Sequence, residues 1–187
     1  MENELRGELS ELGEDDSIKT FQVNLQALLM TKPEYGKTIL AIDPGYRAGC
    51  KICIIDTLGN PILFDKIFLH EEEKSRSQLS NIFKKYTIDS VIIGNGTGCD
   101  ETSLIVSELF TGDIFIVNES GASVYSASPI AQEEFPDLDS LDRGTVSIGR
   151  RYINPLSELV KVPVGSIGVG MYQHDIAEKK LSEKLGY

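Results

Sequence analysis

From Thr38 onward, the spacing of apolar positions changes along the chain, and each spacing predicts a kind of element. Short apolar runs closed by turn residues, such as Ile39–Ile42, are typical of buried strands, whereas apolar residues three and four positions apart predict amphipathic helices. The resulting order is β, β, β, α, β, α, β, α. The predicted strands are 38–43, 50–55, 62–69, 90–94 and 114–117, and the predicted helices are 71–86, 100–110, 123–134 and a last one ending near 151.

The link between the second and third strands sets the topology. The tight loop Asp56–Asn60 allows only antiparallel neighbours, whereas the later strands alternate with helices, which favours parallel pairing. The sequence therefore predicts an α/β fold of ribonuclease H-like topology. Its mixed five-stranded sheet has three antiparallel strands followed by two parallel ones and is flanked by helices.

The segment before Thr38 has helical periodicity and no candidate chemistry. Its apolar residues at helical spacing are Ile18, Phe21, Leu25, Leu28 and Leu29. Ser17 is a suitable N-cap, and Pro33 is expected to end the helix. We expect a helical connector at residues 1–36, a ribonuclease H-like domain at 37–152, and a C-terminal loop and helix at 153–187.

Composition and charge exclude some classes of protein. The 187 residues are 41% hydrophobic and 25% charged, as in a globular protein, and no apolar run is long enough to span a bilayer. The N-terminus lacks the features of a secretory signal, so a cytoplasmic protein is expected. A net charge of −11 argues against a free-standing nucleic-acid binder. Residues 143–187, however, hold seven bases against four acids, and this part alone could face phosphate.

Asp43 is the first candidate for chemistry. It ends the first strand before Pro44 and Gly45, and such an edge is where open sheets bind ligands. This fold can carry two-metal phosphodiester cleavage, in which three or four carboxylates hold a pair of Mg²⁺ ions. Glu119 is the second candidate, because we expect strand five to lie close to strand one. The last helix offers Asp139 or Asp142 as the third. A turn cap, or a site that has lost part of its acids, is the alternative.

Two other motifs have structural alternatives. Cys50 and Cys53 have the spacing of a zinc or redox pair, but on one strand their side chains point to opposite faces, which favours core packing. Gly94–Gly98 could cradle a phosphate at a helix N-terminus, but it matches no established phosphate-binding fingerprint, so a structural turn is favoured. Neither His70 nor His174 is expected to bind metal or act as a base.

Three arginines lie on the last predicted helix. Arg143 and Arg150 are seven residues apart and share a face, and Arg151 follows directly. These side chains could bind backbone phosphates or pair with Asp137 and Asp139. The sequence leaves both open.

Longer motifs resemble a known family. The stretches that carry the resemblance are Leu40-Ala41-Ile42-Asp43-Pro44-Gly45-Tyr46-Arg47-Ala48-Gly49-Cys50-Lys51, Ile93–Thr97, Ser120–Ser128, Glu134–Asp139, Arg143–Val162 and Gly168–Asp175. Together they resemble the YqgF-type domain of the Tex family of bacterial transcription accessory proteins. The similarity runs from about Phe21 to Leu185.

The resemblance implies a resolvase-like fold inside a multidomain nucleic-acid-binding factor without an established nuclease activity. It also implies that this chain is an excised fragment, followed in the family by helix-hairpin-helix elements and an OB-type RNA-binding domain. By motif, Asp43 matches the first resolvase carboxylate and Glu119 an acid found in smaller relatives. The third acid would fall near Leu141, and Asp142 is displaced by one residue, which is about 100° on a helix.

We therefore expect a nucleic-acid-binding domain, for RNA or DNA, without catalysis or cofactor. The candidate phosphate-binding residues are Arg47, Lys51, Arg143, Arg150 and Arg151. The first alternative is a Mg²⁺- or Mn²⁺-dependent nuclease using Asp43, Glu119 and Asp142 or Asp139, with Asp43 and Glu119 as metal ligands. The second is a scaffold that binds other domains or polymerase subunits.

Overall fold

The computed structural model describes residues 15–16, 18–20, 22–23, 26–27, 30 and 32–167. The strands are β1 (Ile39–Asp43), β2 (Cys50–Ile55), β3 (Pro61–Ile67), β4 (Ser90–Gly94) and β5 (Asp113–Val117). The helices are α1 (Glu72–Lys85), α2 (Cys99–Leu109), α3 (Ala122–Ser126), α4 (Pro129–Glu134), α5 (Ser140–Ile153) and α6 (Pro155–Leu159), followed by a 3₁₀ turn at Val164–Ser166.

The strands form one mixed sheet in the order β3-β2-β1-β4-β5. The pairs β1/β2 and β2/β3 are antiparallel, and β1/β4 and β4/β5 are parallel. This arrangement confirms the predicted fold class. β1 lies at the centre with covered faces, as its run of four buried residues predicted.

Helices cover the sheet on both sides. Leu79 and Ile82 of α1, with Ile105 and Val106 of α2, pack against one face. Val146, Ile148 and Ile153 of α5, with Ala122 of α3, pack against the other. Since successive residues of a strand point to opposite faces, Cys50 belongs to the first cluster and Cys53 to the second. The prediction that the two sulfurs diverge into the core is confirmed.

The predicted helix at 123–134 is wrong, because the structure has two short helices there, α3 and α4. Pro129 begins α4, and a proline has no N–H for the bond that a continuous helix would need. The Ser128 side chain caps the new helix by accepting a hydrogen bond from the Ala131 N–H at 3.3 Å.

Parts of the predicted N- and C-terminal segments lie outside the described residues. The described residues between 15 and 27 are helical, and Ile18 is buried. Ser17, Phe21, Leu25, Leu28 and Leu29 are not among them, nor are the motif at 168–175 and His174. No helix in the described part of the chain is long and apolar enough to cross a bilayer.

Gly149 brings α5 against the centre of the sheet. A Cβ atom at this position would collide with the Ile55 side chain and would lie 2.9 Å from the Ala41 Cβ. We expect Gly149→Val to lower the free energy of unfolding by about 1–3 kcal/mol, because the packed sheet cannot move away from the added methyl groups.

The matched control is Gly144→Ala, one position in the same helix where an added Cβ would meet only ordinary contacts at 3.8 and 4.0 Å. Alanine in a helix interior is about 0.5–1 kcal/mol more favourable than glycine, so this variant should gain stability. Urea unfolding followed by circular dichroism measures both. Equal stability of Gly149→Val and the wild type would contradict the packing described.

Candidate functional site

Asp43 lies at the carboxyl end of β1, where a row of charged residues crosses the sheet. In the antiparallel register Asp43 faces Lys51 on β2, and Lys51 faces Lys66 on β3. Lys51 is only 8% exposed. Burial raises the pKa of Asp43, and the nearby Lys51 charge offsets part of that rise. The first predicted acid is thus half-buried and next to a lysine.

Glu119 is held in place by the loops that follow β4 and β5. Its N–H donates to the Asn95 side-chain oxygen at 3.1 Å, and the Asn95 N–H donates to the Val117 carbonyl at 3.0 Å. Asn95 therefore ties the ends of β4 and β5 together.

Strand five lies close to strand one, as expected, with only β4 between β1 and β5. Glu119 still reaches the Asp43 side of the sheet. Its carboxylate oxygens occupy the space where Gly94 and Gly96 lack side chains, since a Cβ at either glycine would collide with them. The glycines around Asn95 were the sequence signal for this close approach.

Arg151 supports the Glu119 loop from inside the domain. Arg151 is 6% exposed, and its Nη1 donates to the carbonyls of Asn118 at 2.8 Å and Ser120 at 2.6 Å. Burial and the Asp43 charge raise the pKa of Glu119, while a Gly96 backbone hydrogen bond and the Arg151 charge lower it, leaving a net rise. One buried oxygen, Oε2 of Glu119, has no hydrogen-bond partner.

The two carboxylates line one small cavity of about 130 Å³. The other residues that line it are Ala122, Ser123, Ser126, Ser140, Leu141, Gly144 and Ile148. Residues 140–141, 144 and 148 are one face of α5, and that face brings a leucine to the place where a third acid would stand.

Asp139 and Asp142 are positioned for other roles. Asp139 caps α5 by accepting a hydrogen bond from the Asp142 N–H at 2.8 Å. The Asp142 side chain does not line the cavity. Burial and the Asp139 charge raise the pKa of Asp142, and the charges of Lys66 and Lys51 lower it. Asp142 therefore lies beside Lys51 and Lys66, which we call the lysine row. The structure brings Asp43 and Glu119 together without either candidate third acid.

The donor set does not fit a pair of divalent metal ions. Such a pair needs three or four carboxylates, and this cavity offers two, with Leu141 and Ile148 on the α5 side. Across the described residues, no group of three or more His, Cys, Asp or Glu side chains is placed to hold a metal ion.

The α5 arginines are used mainly within the fold. Arg150 Nε donates to the Gly59 carbonyl at 2.9 Å, and its guanidinium lies 4.8 Å from the centre of the Phe135 ring. Arg143 Nε donates to the Phe135 carbonyl at 3.0 Å. Together with the burial of Arg151, these contacts engage all three arginines within the fold, and their role in binding nucleic acid stays a prediction. Arg143 and Arg150 donate to backbone carbonyls instead of pairing with Asp137 and Asp139 as the alternative predicted. The Nη1 atom of Arg150 also lies 3.9 Å from Oε1 of Glu134.

Basic residues on the β1–β2–β3 side are the more accessible ones. Arg47 is exposed in the β1–β2 loop, and Lys66 is exposed on β3. Sequence reasoning missed Lys66, although the hairpin register that places it opposite Lys51 could have indicated it.

The loop from Gly94 to Gly98 is a structural turn. Gly98, at φ +93°, is the N-cap of α2, and the Glu119 carboxylate lies against Gly94 and Gly96. An anion would meet this carboxylate and the acids of the first turn of α2, so a phosphate cradle is disfavoured.

Comparisons with known proteins identify relatives that cover the domain described above. A family model described as the Tex protein YqgF-like domain matches residues 37–153. Protein YdcI of Bacillus subtilis (strain 168) is 42% identical over 196 residues, which cover 100% of this chain and 27% of YdcI. The transcriptional accessory protein Tex of Neisseria gonorrhoeae is 42% identical over 99% of this chain and 25% of its own length.

A human protein is similar as well. The S1 RNA-binding domain-containing protein 1 of Homo sapiens is 41% identical over 97% of this chain and 19% of its own length. The chain thus spans about a quarter of the length of the first curated relatives it matches.

Because Asp43 is partly buried, replacing it with a neutral residue is expected to stabilise the fold in a pH-dependent way. The pKa of Asp43 in the folded state lies above its value in the unfolded chain, near 3.8. The folded chain therefore loses stability as pH rises from the unfolded-state pKa through the folded-state pKa, and this cost persists at neutral pH. Asp43→Asn should therefore unfold at higher urea concentration than the wild type at pH 7. The difference should disappear as pH falls below about 4.

The control is Asp137→Asn, at an exposed aspartate before α5, which should leave the pH profile unchanged. An Asp43→Asn variant less stable than the wild type at pH 7 would mean that the Lys51 pairing outweighs burial.

Proposed function

The chain belongs to the family of Tex protein YqgF-like domains, and from this we propose that it contacts nucleic acid without cleaving it, as one domain of a transcription accessory protein. The observation that carries the proposal is the residue that α5 contributes to the lining of the acid cavity. Leu141 lies there beside Asp43 and Glu119.

Leucine at this position supports the absence of cleavage on chemical grounds. Two-metal catalysis uses one ion to activate water and a second to stabilise the leaving oxygen, and carboxylates must neutralise and orient both. An alkyl side chain supplies no oxygen ligand. With two acids, one of them beside Lys51, the cavity has too few ligands for that chemistry, so the domain is proposed to need no metal cofactor.

The lysine row supports contact with a phosphate backbone beside the cavity. Lys51 partly offsets the charges of Asp43 and Asp142, which would otherwise repel phosphates. Arg47 in the β1–β2 loop and Lys66 on β3 are exposed and could make phosphate contacts. Since the net charge is −11, the contribution of this domain is weak and strongly dependent on salt.

The names of two relatives support the proposed contact with nucleic acid. One relative is called a transcriptional accessory protein, and another is named for an S1 RNA-binding domain. Because this chain covers 19% of the latter, most of the longer protein's nucleic-acid affinity is proposed to come from outside the region described.

The test combines binding and cleavage on the same substrates. Fluorescence anisotropy with labelled single-stranded RNA and branched DNA, between about 50 and 200 mM salt, gives the slope of log affinity against log salt. Arg47→Ala with Lys66→Ala should reduce that slope by about 0.7 per lost contact on single strands and about 0.9 on duplex.

The matched control removes two exposed lysines from the opposite side of the sheet, Lys84→Ala with Lys85→Ala in α1, and should leave the slope unchanged. Equal effects of the two double variants would contradict a contact through Arg47 and Lys66. Incubation with Mg²⁺ or Mn²⁺ should give no cleavage products. Cleavage that is lost in Asp43→Asn would instead establish the nuclease.

A further inference from the structure

β5 is an open edge of the sheet. It is the terminal strand in the order β3-β2-β1-β4-β5, so one side of its backbone has no strand partner in the described part of the chain. Its sequence, Asp-Ile-Phe-Ile-Val, contains no lysine or proline, which are the residues that commonly block an edge. Ile116 is 51% exposed. This edge therefore lacks the usual protection against pairing with another strand.

A groove runs beside this edge, between β5 and α2. Ser103, Leu104 and Ser107 share one face of α2, and Ile114 and Ile116 of β5 line the other side. The groove has a volume of about 870 Å³, and Leu104 is 62% exposed within it. The small serines leave room next to exposed apolar side chains, which is the shape that an inserted side chain needs.

The charges of the groove have one sign. Asp100 and Glu101 of α2 lie at one end, where the Tyr46 hydroxyl hydrogen-bonds to Glu101, and none of the described residues lining the groove is basic. An acidic lining repels nucleic acid and attracts a basic polypeptide. It also disfavours a second copy of this chain, because β5 begins with Asp113 and the chain carries a net charge of −11.

We propose that this groove binds an extended polypeptide segment, rich in basic and apolar residues, from a protein partner. The segment pairs with β5 as a sixth strand, and its backbone satisfies the open edge. Its alternate apolar side chains contact Ile114, Ile116 and Leu104, while its lysines or arginines lie near Asp100 and Glu101. This surface lies across the sheet from the α5 face, which carries the acid cavity, and the proposal does not depend on nucleic-acid binding.

Two synthetic peptides test the proposal on the whole chain. Both are about eight residues long, one alternating valine with lysine and the other alternating valine with glutamate. In NMR titrations the lysine peptide should shift the amide signals of β5 and α2 and slow hydrogen exchange of β5 amides, whereas the glutamate peptide should do neither. Equal binding of both peptides, or shifts confined to other elements, would overturn the proposal.

A matched pair of variants locates the site. Ile116→Lys places a charge at the open edge and should weaken binding of the lysine peptide about tenfold or more. Leu58→Lys introduces the same residue at an exposed leucine in the β2–β3 turn and should leave the affinity unchanged.

Equal affinities of Ile116→Lys and Leu58→Lys for the lysine peptide would contradict binding at the β5 edge. Light scattering tests whether a second copy of this chain occupies the groove instead. A wild-type dimer that dissociates in Ile116→Lys would show that it does and would overturn the proposed partner. A wild-type monomer that binds the lysine peptide through Ile116 is the result expected.

Discussion

The carboxylate of Glu119 occupies the space left by a missing side chain at the end of β4, and the arrangement of the site depends on this contact. A Cβ atom on Gly94 would collide with Glu119 Oε2 and would lie 3.3 Å from both Pro44 and Ile148. Without that glycine, an acid following β5 could not share a cavity with Asp43, because a whole strand separates β1 from β5. The backbone of β4 thus determines which side chains meet.

The energetic cost of this arrangement is visible in the groups around it. Glu119 Oε2, together with Nε and Nη2 of Arg151, is buried without a hydrogen-bond partner, and such atoms destabilise a fold by about 1–3 kcal/mol each. Burial also raises the pKa values of Asp43 and Glu119. Perturbed, incompletely satisfied acids are common at functional sites. In this domain they are combined with Leu141, and the cavity keeps its shape and two acids but not a full set of metal ligands.

Local patterns in the sequence were sufficient for the sheet. The run Ile39–Ile42 predicted a central strand, the short loop after β2 predicted an antiparallel hairpin, and the boundaries of β2 and β4 match the observed ones. These features depend on neighbours within a few residues or on the two-residue period of a strand. One local signal was overlooked, since Pro129 was present in the sequence that was predicted as a single helix.

The site itself depended on contacts that no local pattern contains. Arg150 looked like a phosphate ligand, but it donates to Gly59, 91 positions earlier in the chain. Arg151 was also a candidate phosphate ligand, yet the next position on a helix is turned by about 100°, and this turn places Arg151 in the interior. The same rotation places Leu141, not Asp142, in the cavity. For Arg151 this difference depends on the helix phase, which periodicity alone did not give. For Leu141, the resemblance to the family had already indicated that Asp142 is displaced by one residue.

The most direct test of the account is to restore the missing acid and measure Mn²⁺ binding by electron paramagnetic resonance, in which free Mn²⁺ gives the signal. Leu141→Asp should bind Mn²⁺ and lower the free signal, while the wild type and the isosteric control Leu141→Asn should not, because a carboxylate supplies the third ligand that an amide or alkyl group cannot. Wild-type protein that binds two Mn²⁺ ions per chain, with loss of binding in Asp43→Asn, would contradict the central claim that Leu141 leaves this cavity unable to hold a metal pair.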